Sequence, residues 1–270
     1  SEANFVGMAA GMAMDGYIPY INTIATFLTR RCYEQVAVDL CLHNLPVRLI
    51  ANGGGLVYAP LGPTHVAIED IAIMRALPNM TVVAVADASE MKRFMEISLD
   101  WPGPIYIRMG KGGDPMVTRD TDAFEIGKAY LLREADDKCQ PPVLIASTGV
   151  MTGRAMAAAD LLSERGVPVE VLHMPTIKPL DEEALNVHGA KARLVVTVEE
   201  GTLIGGLGSA VLDSLNENLG GSMPTVRRLG IPDSFIHDYG NQDWLMEVCG
   251  LQPKQIAKTI SEDVDLLAAA

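Results

Sequence analysis

Short runs rich in Val and Ile alternate along this chain with longer stretches in which apolar residues recur at helical spacing. Tyr17 to Thr23, Val47 to Asn52, Thr81 to Ala86 and Pro104 to Arg108 read as buried strands. The stretches Phe27 to His43, Thr64 to Leu77 and Ala88 to Leu99 between them read as helices. Leu77-Pro78-Asn79 stops one helix, because proline cannot continue it. Asp87 and Glu90 have the spacing of a capping box and open the next. Strands that alternate with helices in this way predict a parallel sheet covered on both faces.

Gly110 to Asp122 interrupts the pattern with glycine, proline and charge, and reads as a linker. Beyond it the alternation resumes. Val143 to Ser147, Val167 to Leu172, Leu194 to Val198 and Thr225 to Leu229 are predicted strands. Gly153 to Arg165, Asp181 to Ala190, Gly206 to Asn218, Gln242 to Cys249 and Pro253 to Ile260 are predicted helices. The expected fold is α/β, with two doubly wound domains of mostly parallel sheet at 1–122 and 123–270. A length of 270 residues suits two cores.

Composition narrows the function. The chain is 49% hydrophobic and carries a net charge of −13, with its acidic residues scattered. That argues for solubility and against nucleic acid as a partner, since no basic cluster with interleaved aromatics occurs. No apolar run approaches the ~20 residues of a membrane span. Cys32, Cys41, Cys139 and Cys249 form no C-x-x-C pair and read as reduced thiols of a cytoplasmic protein.

Several residues carry candidate chemistry. Glu2 precedes a helix of small and apolar residues, Ala3 to Gly11. A desolvated carboxylate there holds a proton readily and can hydrogen-bond a ring nitrogen, whereas plain stabilisation of the helix N-terminus is the bland alternative. Gly53-Gly54-Gly55 follows a predicted strand, and Gly62-Pro63-Thr64-His65 leads into a predicted helix with Thr64 as its cap. Ligands bind at such strand ends, so His65 is a candidate acid, base or hydrogen-bond donor, or else a helix-start histidine facing solvent. Arg108, ending a strand before a glycine-rich turn, suits an anionic ligand group or an ordinary salt bridge equally. Gly205 to Ser209 lacks the G-x-G-x-x-G spacing and reads as close helix packing, not a dinucleotide loop. The other histidines show no ligand spacing, and no metal site is expected on this chain.

Taken in order, several motifs resemble the transketolase and deoxyxylulose-phosphate synthase group over nearly the whole chain. They are the glutamate run at Glu2, Thr26-Phe27-Leu28-Thr29-Arg30-Arg31, Gly62 to His65, Leu77-Pro78-Asn79-Met80, Val198-Glu199-Glu200 and Gly205 to Ala210. The resemblance implies an N-terminally incomplete pyrimidine-binding domain at 1–122, its first strand and helix lying outside the given sequence, and a transketolase C-terminal domain at 123–270. It implies thiamine diphosphate as cofactor. Glu2 would bond the aminopyrimidine and favour its imino tautomer, Phe27 would stack on that ring, and Arg30 and Tyr33 would lie nearby. His65 would hydrogen-bond substrate oxygens and Arg108 would grip a distal anion.

The family binds diphosphate and a divalent cation, Mg2+ or Ca2+, through a Gly-Asp-Gly motif. This chain has none, and Gly113-Asp114-Pro115 does not replace it, because proline lacks the amide donor. The resemblance therefore implies a split enzyme whose diphosphate-binding subunit is a separate partner, in an α2β2 heterotetramer. Two departures bear on substrate: Leu61 stands where transketolases carry Asp, and Val66 where they carry a polar residue. Loss of hydroxyl-binding groups shifts donor or acceptor preference. The expected activity is transfer of a two-carbon ketol unit from a ketose (phosphate) to an aldehyde. The alternatives are a synthase-like decarboxylating condensation and a non-catalytic scaffold of the same fold; a 2-oxo-acid dehydrogenase β subunit fits Gly62 to His65 less well.

Overall fold

The computed structural model describes residues 1–119, 123–136 and 139–269. The end of the predicted linker, residues 120–122, and with it the expected 122/123 boundary, falls outside the described residues.

The first half builds a sheet from β1 (Tyr20–Ile24), β2 (Arg48–Asn52), β3 (Thr81–Ala84) and β4 (Ile105–Met109), all parallel, in the order β1-β2-β4-β3. The second half builds another from β5 (Tyr130–Arg133), β6 (Val143–Ser147), β7 (Val169–His173), β9 (Leu194–Thr202) and β10 (Thr225–Ile231), in the order β10-β9-β6-β7-β5, with β5 antiparallel at the edge. β8 (Thr176–Lys178) comes from the second half yet pairs antiparallel with β3 and completes the first sheet. The central strands are apolar on both faces, as burial under two helix layers requires: every residue of β3 and β6 is buried.

The helices are α1 (Glu2–Met14), α2 (Ala25–Leu28), α3 (Tyr33–Gln35), α4 (Asp70–Ala76), α5 (Ala88–Ser98), α6 (Met151–Ser163), α7 (Glu182–Gly189), α8 (Leu207–Leu219), α9 (Gln242–Val248) and α10 (Pro253–Ala269). The single helix expected over 27–43 is broken. α2 ends after one turn, and α3 runs on into a π-helical segment, Val36–Cys41. The helix expected from Thr64 begins only at Asp70, because Gly62 to His65 form a turn in which Gly62 has φ +79°. Thr64 therefore caps nothing. Asp87 does cap α5, its side chain accepting from Glu90 N–H at 2.9 Å. Among the described residues no disulfide forms.

Polar groups join the halves. Asp70 accepts from Tyr106 Oη at 2.7 Å and Arg108 Nε at 2.8 Å, and Arg108 Nη2 donates to the Glu200 carbonyl at 2.6 Å. Glu90 meets His173 Nε2 at 3.0 Å, whose Nδ1 lies 2.8 Å from Thr152 Oγ1. One continuous apolar cluster also spans both halves, from Val6 and Leu49 to Leu144 and Leu207.

Candidate active site

In a parallel sheet every strand delivers its following loop to the same edge. Here β1 leads to α2 and Phe27, β2 to Gly53-Gly54-Gly55, and β4 to Gly110 and Lys111. An antiparallel bridge between Gly55 and Ala67 brings the His65 turn to that edge.

Glu2 sits in the first turn of α1, which buries Val6, Ala9, Ala10 and Ala13. Its carboxylate accepts from Arg31 Nη1 at 2.9 Å. Phe27, half-buried, lies under the same guanidinium, whose central carbon is 3.9 Å from the ring centroid. The other neighbour of Phe27 is His65, edge-on with ring centroids 5.3 Å apart. His65 Nδ1 lies 2.9 Å from Thr64 Oγ1. Glu2, Phe27 and His65, far apart in sequence, thus form one cluster. Arg31 is the residue that sequence reasoning missed; its signal was only a second arginine after Arg30.

The protonation expected of Glu2 needs correction. Its carboxyl sits below the usual range, held there first by its own backbone N–H at the helix start and next by the Arg31 hydrogen bond. Desolvation acts the other way and loses.

Arg30 braces the turn that carries His65. It bonds Glu69 at 2.8 Å and donates to the Val66 carbonyl at 2.9 Å. Tyr33 stands apart from the cluster, its hydroxyl donating to the Ile73 carbonyl at 2.9 Å.

Arg108 does not face a ligand. Its side chain is 5% exposed and its Nε and Nη2 are committed to Asp70, Ala67 and Glu200. The expectation that it grips a distal anion is overturned: as a β4 residue it points into the seam between the halves. Lys111 is an exposed cation on this rim, its ammonium 5.6 Å from the Tyr58 ring centroid.

The glycines are explained by the same seam. A Cβ on Gly54 would lie 2.4 Å from Arg108 Nε, and one on Gly55, where φ is +66°, 2.3 Å from the Glu200 carboxyl carbon. Glu200 Oε1 in turn accepts from Leu56 N–H at 2.7 Å and Gln242 at 2.8 Å. At the second glycine run, the Glu199 carboxylate accepts from the N–H groups of Leu207 and Gly208, both at 2.8 Å, so a carboxylate fills the start of α8. Burial pushes both Glu199 and Glu200 up from the ordinary carboxyl range. Among the described residues no group of three or more His, Cys, Asp or Glu could hold a metal ion, and no helix is long and apolar enough to cross a membrane.

Comparison with known proteins agrees with this layout. Residues 1–113 match the family pattern described as transketolase, pyrimidine binding domain, and residues 127–256 that of transketolase, C-terminal domain. The chain is 37% identical to a 6-deoxy-6-sulfo-D-fructose transketolase subunit of Clostridium sp. (strain MSTE9), over 97% of this chain and 79% of the relative. It is 39% identical to a 1-deoxy-D-xylulose-5-phosphate synthase of Synechococcus sp. (strain WH7803), over 96% of this chain but 39% of that protein. A solved split-gene transketolase, an inactive beta4 tetramer, superposes with TM-score 0.85 at 34% identity, over 97% of this chain and 81% of that one. Transketolase from Campylobacter jejuni shares the fold, with TM-score 0.76 at 18% identity over 97% of this chain and 38% of that one. The chain belongs to the transketolase family, as a pyrimidine-binding domain followed by a transketolase C-terminal domain.

Proposed function

We propose that this chain is the pyrimidine-binding and C-terminal part of a thiamine-diphosphate-dependent transferase, moving a two-carbon ketol unit from a ketose to an aldehyde. The observation that carries the reading is the cluster of Glu2, Phe27 and His65 at the carboxyl edge of the first sheet. An acid beside a flat π-face fits an aminopyrimidine, which needs both a hydrogen bond to its ring nitrogen and an apolar stack. Thiamine diphosphate, when bound, supplies the reactive carbon and the electron sink for breaking a ketose carbon–carbon bond. With the cofactor bound, Glu2 would hold or give up a proton at the ring nitrogen, Phe27 would orient the ring, and His65 would offer its imidazole to substrate oxygens. Arg30 holds the His65 turn in place, and Tyr33 fixes α3 against α4 behind it.

The diphosphate and its Mg2+ or Ca2+ fall to a diphosphate-binding partner, with two copies of each in a cytoplasmic heterotetramer. Among the described residues the acidic side chains gather into no hard-cation cage. We place the two domains at 1–122 and 123–270, a division consistent with the family matches over residues 1–113 and 127–256. With Leu61 and Val66 flanking the Gly62 to His65 turn, hydroxyl recognition is weakened. Lys111 would then receive the anionic end of the donor, a phosphate or a sulfonate such as that of the relative's 6-deoxy-6-sulfo-D-fructose. A second reading, a decarboxylating condensation, draws support from the synthase relatives.

The test is reconstitution with the partner and cofactor, comparing ketose cleavage with carbon dioxide release from pyruvate. Glu2→Gln should lower turnover by roughly 10²–10⁴-fold. Unchanged turnover would mean a scaffold, and pyruvate decarboxylation without ketose cleavage would move the chain to the synthase side.

A further inference from the structure

The two groups assigned above to the aminopyrimidine are joined by a third residue. Arg31 donates Nη1–H to the Glu2 carboxylate at 2.9 Å and holds its guanidinium carbon over the Phe27 ring, 3.9 Å from the centroid. A guanidinium and an aminopyrimidine share the features that matter here. Each is flat, delocalised and polarisable, and each presents N–H groups along one edge. Arg31 therefore makes, from within the chain, the same two contacts that the ring requires: an edge hydrogen bond to Glu2 and a stack on Phe27.

We infer that Arg31 competes with the cofactor's aminopyrimidine for Glu2 and Phe27, so that it lowers the cofactor affinity of the site and must swing out before the ring can seat. The inference rests on the assignment of those two residues to the pyrimidine.

The surroundings suit a side chain that leaves. Arg31 is 52% exposed and Glu2 21% exposed, so the guanidinium can move into water without a desolvation penalty. It belongs to the irregular turn between α2 and α3, where no helix fixes its rotamer. Its neighbour behaves differently: Arg30 bonds Glu69 and the carbonyls of Val66 and Pro63 and stays with the His65 turn. Of the two adjacent arginines, one is structural and one occupies the ring's place. The Arg31 bond also helps keep Glu2 ionised, after its own helix-start N–H. Departure of Arg31 removes that influence as the ring arrives, which raises the tendency of Glu2 to hold the proton its role requires.

The experiment is a titration of thiamine diphosphate, at saturating Mg2+, into the complete assembly containing this chain, followed by calorimetry. Arg31→Met removes both contacts while keeping the chain length, and Arg31→Lys keeps the charge but not the planar stack. Exposed ion pairs and cation–π contacts are each weak, so Arg31→Met should tighten the dissociation constant by roughly threefold to tenfold, with Arg31→Lys between it and the parent. A readout independent of the cofactor is the carboxyl titration of Glu2 followed by carbon-13 NMR, which should move upward in Arg31→Met. Phe27→Ala is the control for the underlying assignment and should weaken cofactor binding. If Phe27→Ala weakens binding but Arg31→Met leaves it unchanged or weaker, Arg31 supports the site and the competition is refuted. If Phe27→Ala has no effect, the pyrimidine assignment falls and takes the competition with it.

Discussion

Replacement of Arg108 by Met separates a seam residue from a substrate-binding one. The side chain is 5% exposed and Asp70 1% exposed, so the pair is buried. Removing the guanidinium leaves the Asp70 carboxylate with the Tyr106 hydroxyl, while its Oδ1 has no hydrogen-bond partner in the parent chain. Breaking a buried ion pair from one side costs about 3–5 kcal/mol, because the surviving charge stays desolvated. For a chain of this size each kcal/mol lowers the melting temperature by about 2–4 °C, which gives a drop of roughly 6–20 °C. Trp101 and Trp244 lie one in each half, so fluorescence-detected heat and urea unfolding report on both. Asp70→Asn together with Arg108→Met should recover at least about 1 kcal/mol of the loss expected from adding the single variants. An Arg108→Met protein that melts within about 2 °C of the parent, with KM raised and kcat retained, would refute the burial argument and return Arg108 to the substrate.

Other residues give sharper single readouts. Gly55→Ala should destabilise by more than about 2 kcal/mol in urea unfolding, since its Cβ would lie 2.3 Å from the Glu200 carboxyl carbon at a φ of +66°. His173→Ala should cost about 2–4 kcal/mol by the same assay, because the buried Glu90 carboxylate loses Nε2 at 3.0 Å and Thr152 loses Nδ1 at 2.8 Å. Burial acts to raise the Asp87 carboxyl, but hydrogen bonds from the N–H groups of Glu90, Thr118 and Val117 outweigh it and leave it below its usual range. A depressed carboxyl stabilises above its unfolded pKa and loses that contribution as pH falls through the folded one. Stability should therefore fall as pH drops from the ordinary Asp range through the lowered folded value, and Asp87→Ala should remove that part of the acid limb in a pH series of urea melts.

Most of the fold was legible because the central strands are buried on both faces. Val143 to Ser147 and Thr81 to Ala84 are short, mostly apolar runs without polar alternation, the pattern of strands covered on both faces. β8 was not legible: Thr176-Ile177-Lys178 has no period, and its strand state comes from pairing with β3, nearly a hundred positions earlier. The segment 27–43 carries a helical pattern, but the tight turn at Thr29 to Cys32 and the π-helical stretch after it depend on packing against α1. At the site, Glu2, Phe27 and His65 could be named from ordered motifs, while Arg31 could not, since its weight lies in a contact to Glu2, 29 positions earlier in the chain. Arg108 is the reverse case. Its place at a strand end was readable, and its burial was not.

The seam charges bear on function through one loop. A buried ion pair is a poor source of stability compared with well-packed apolar side chains, so stability alone does not account for Asp70 and Arg108. What a charged pair adds is a single allowed arrangement. Apolar surfaces between the halves tolerate sliding, whereas Arg108 must satisfy Asp70 on α4 and the Glu200 carbonyl on β9 together. The same guanidinium reaches the Ala67 carbonyl at 3.3 Å, and Ala67 pairs with Gly55, two positions beyond His65. The bare backbone of Gly54 and Gly55 is what lets Arg108 and Glu200 stand there. The seam thus fixes the back of the turn whose front carries the imidazole. The double variant at Asp70 and Arg108 distinguishes the two contributions: if the pair acts by positioning, stability returns toward the parent while turnover does not, and recovery of both would reduce the pair to packing.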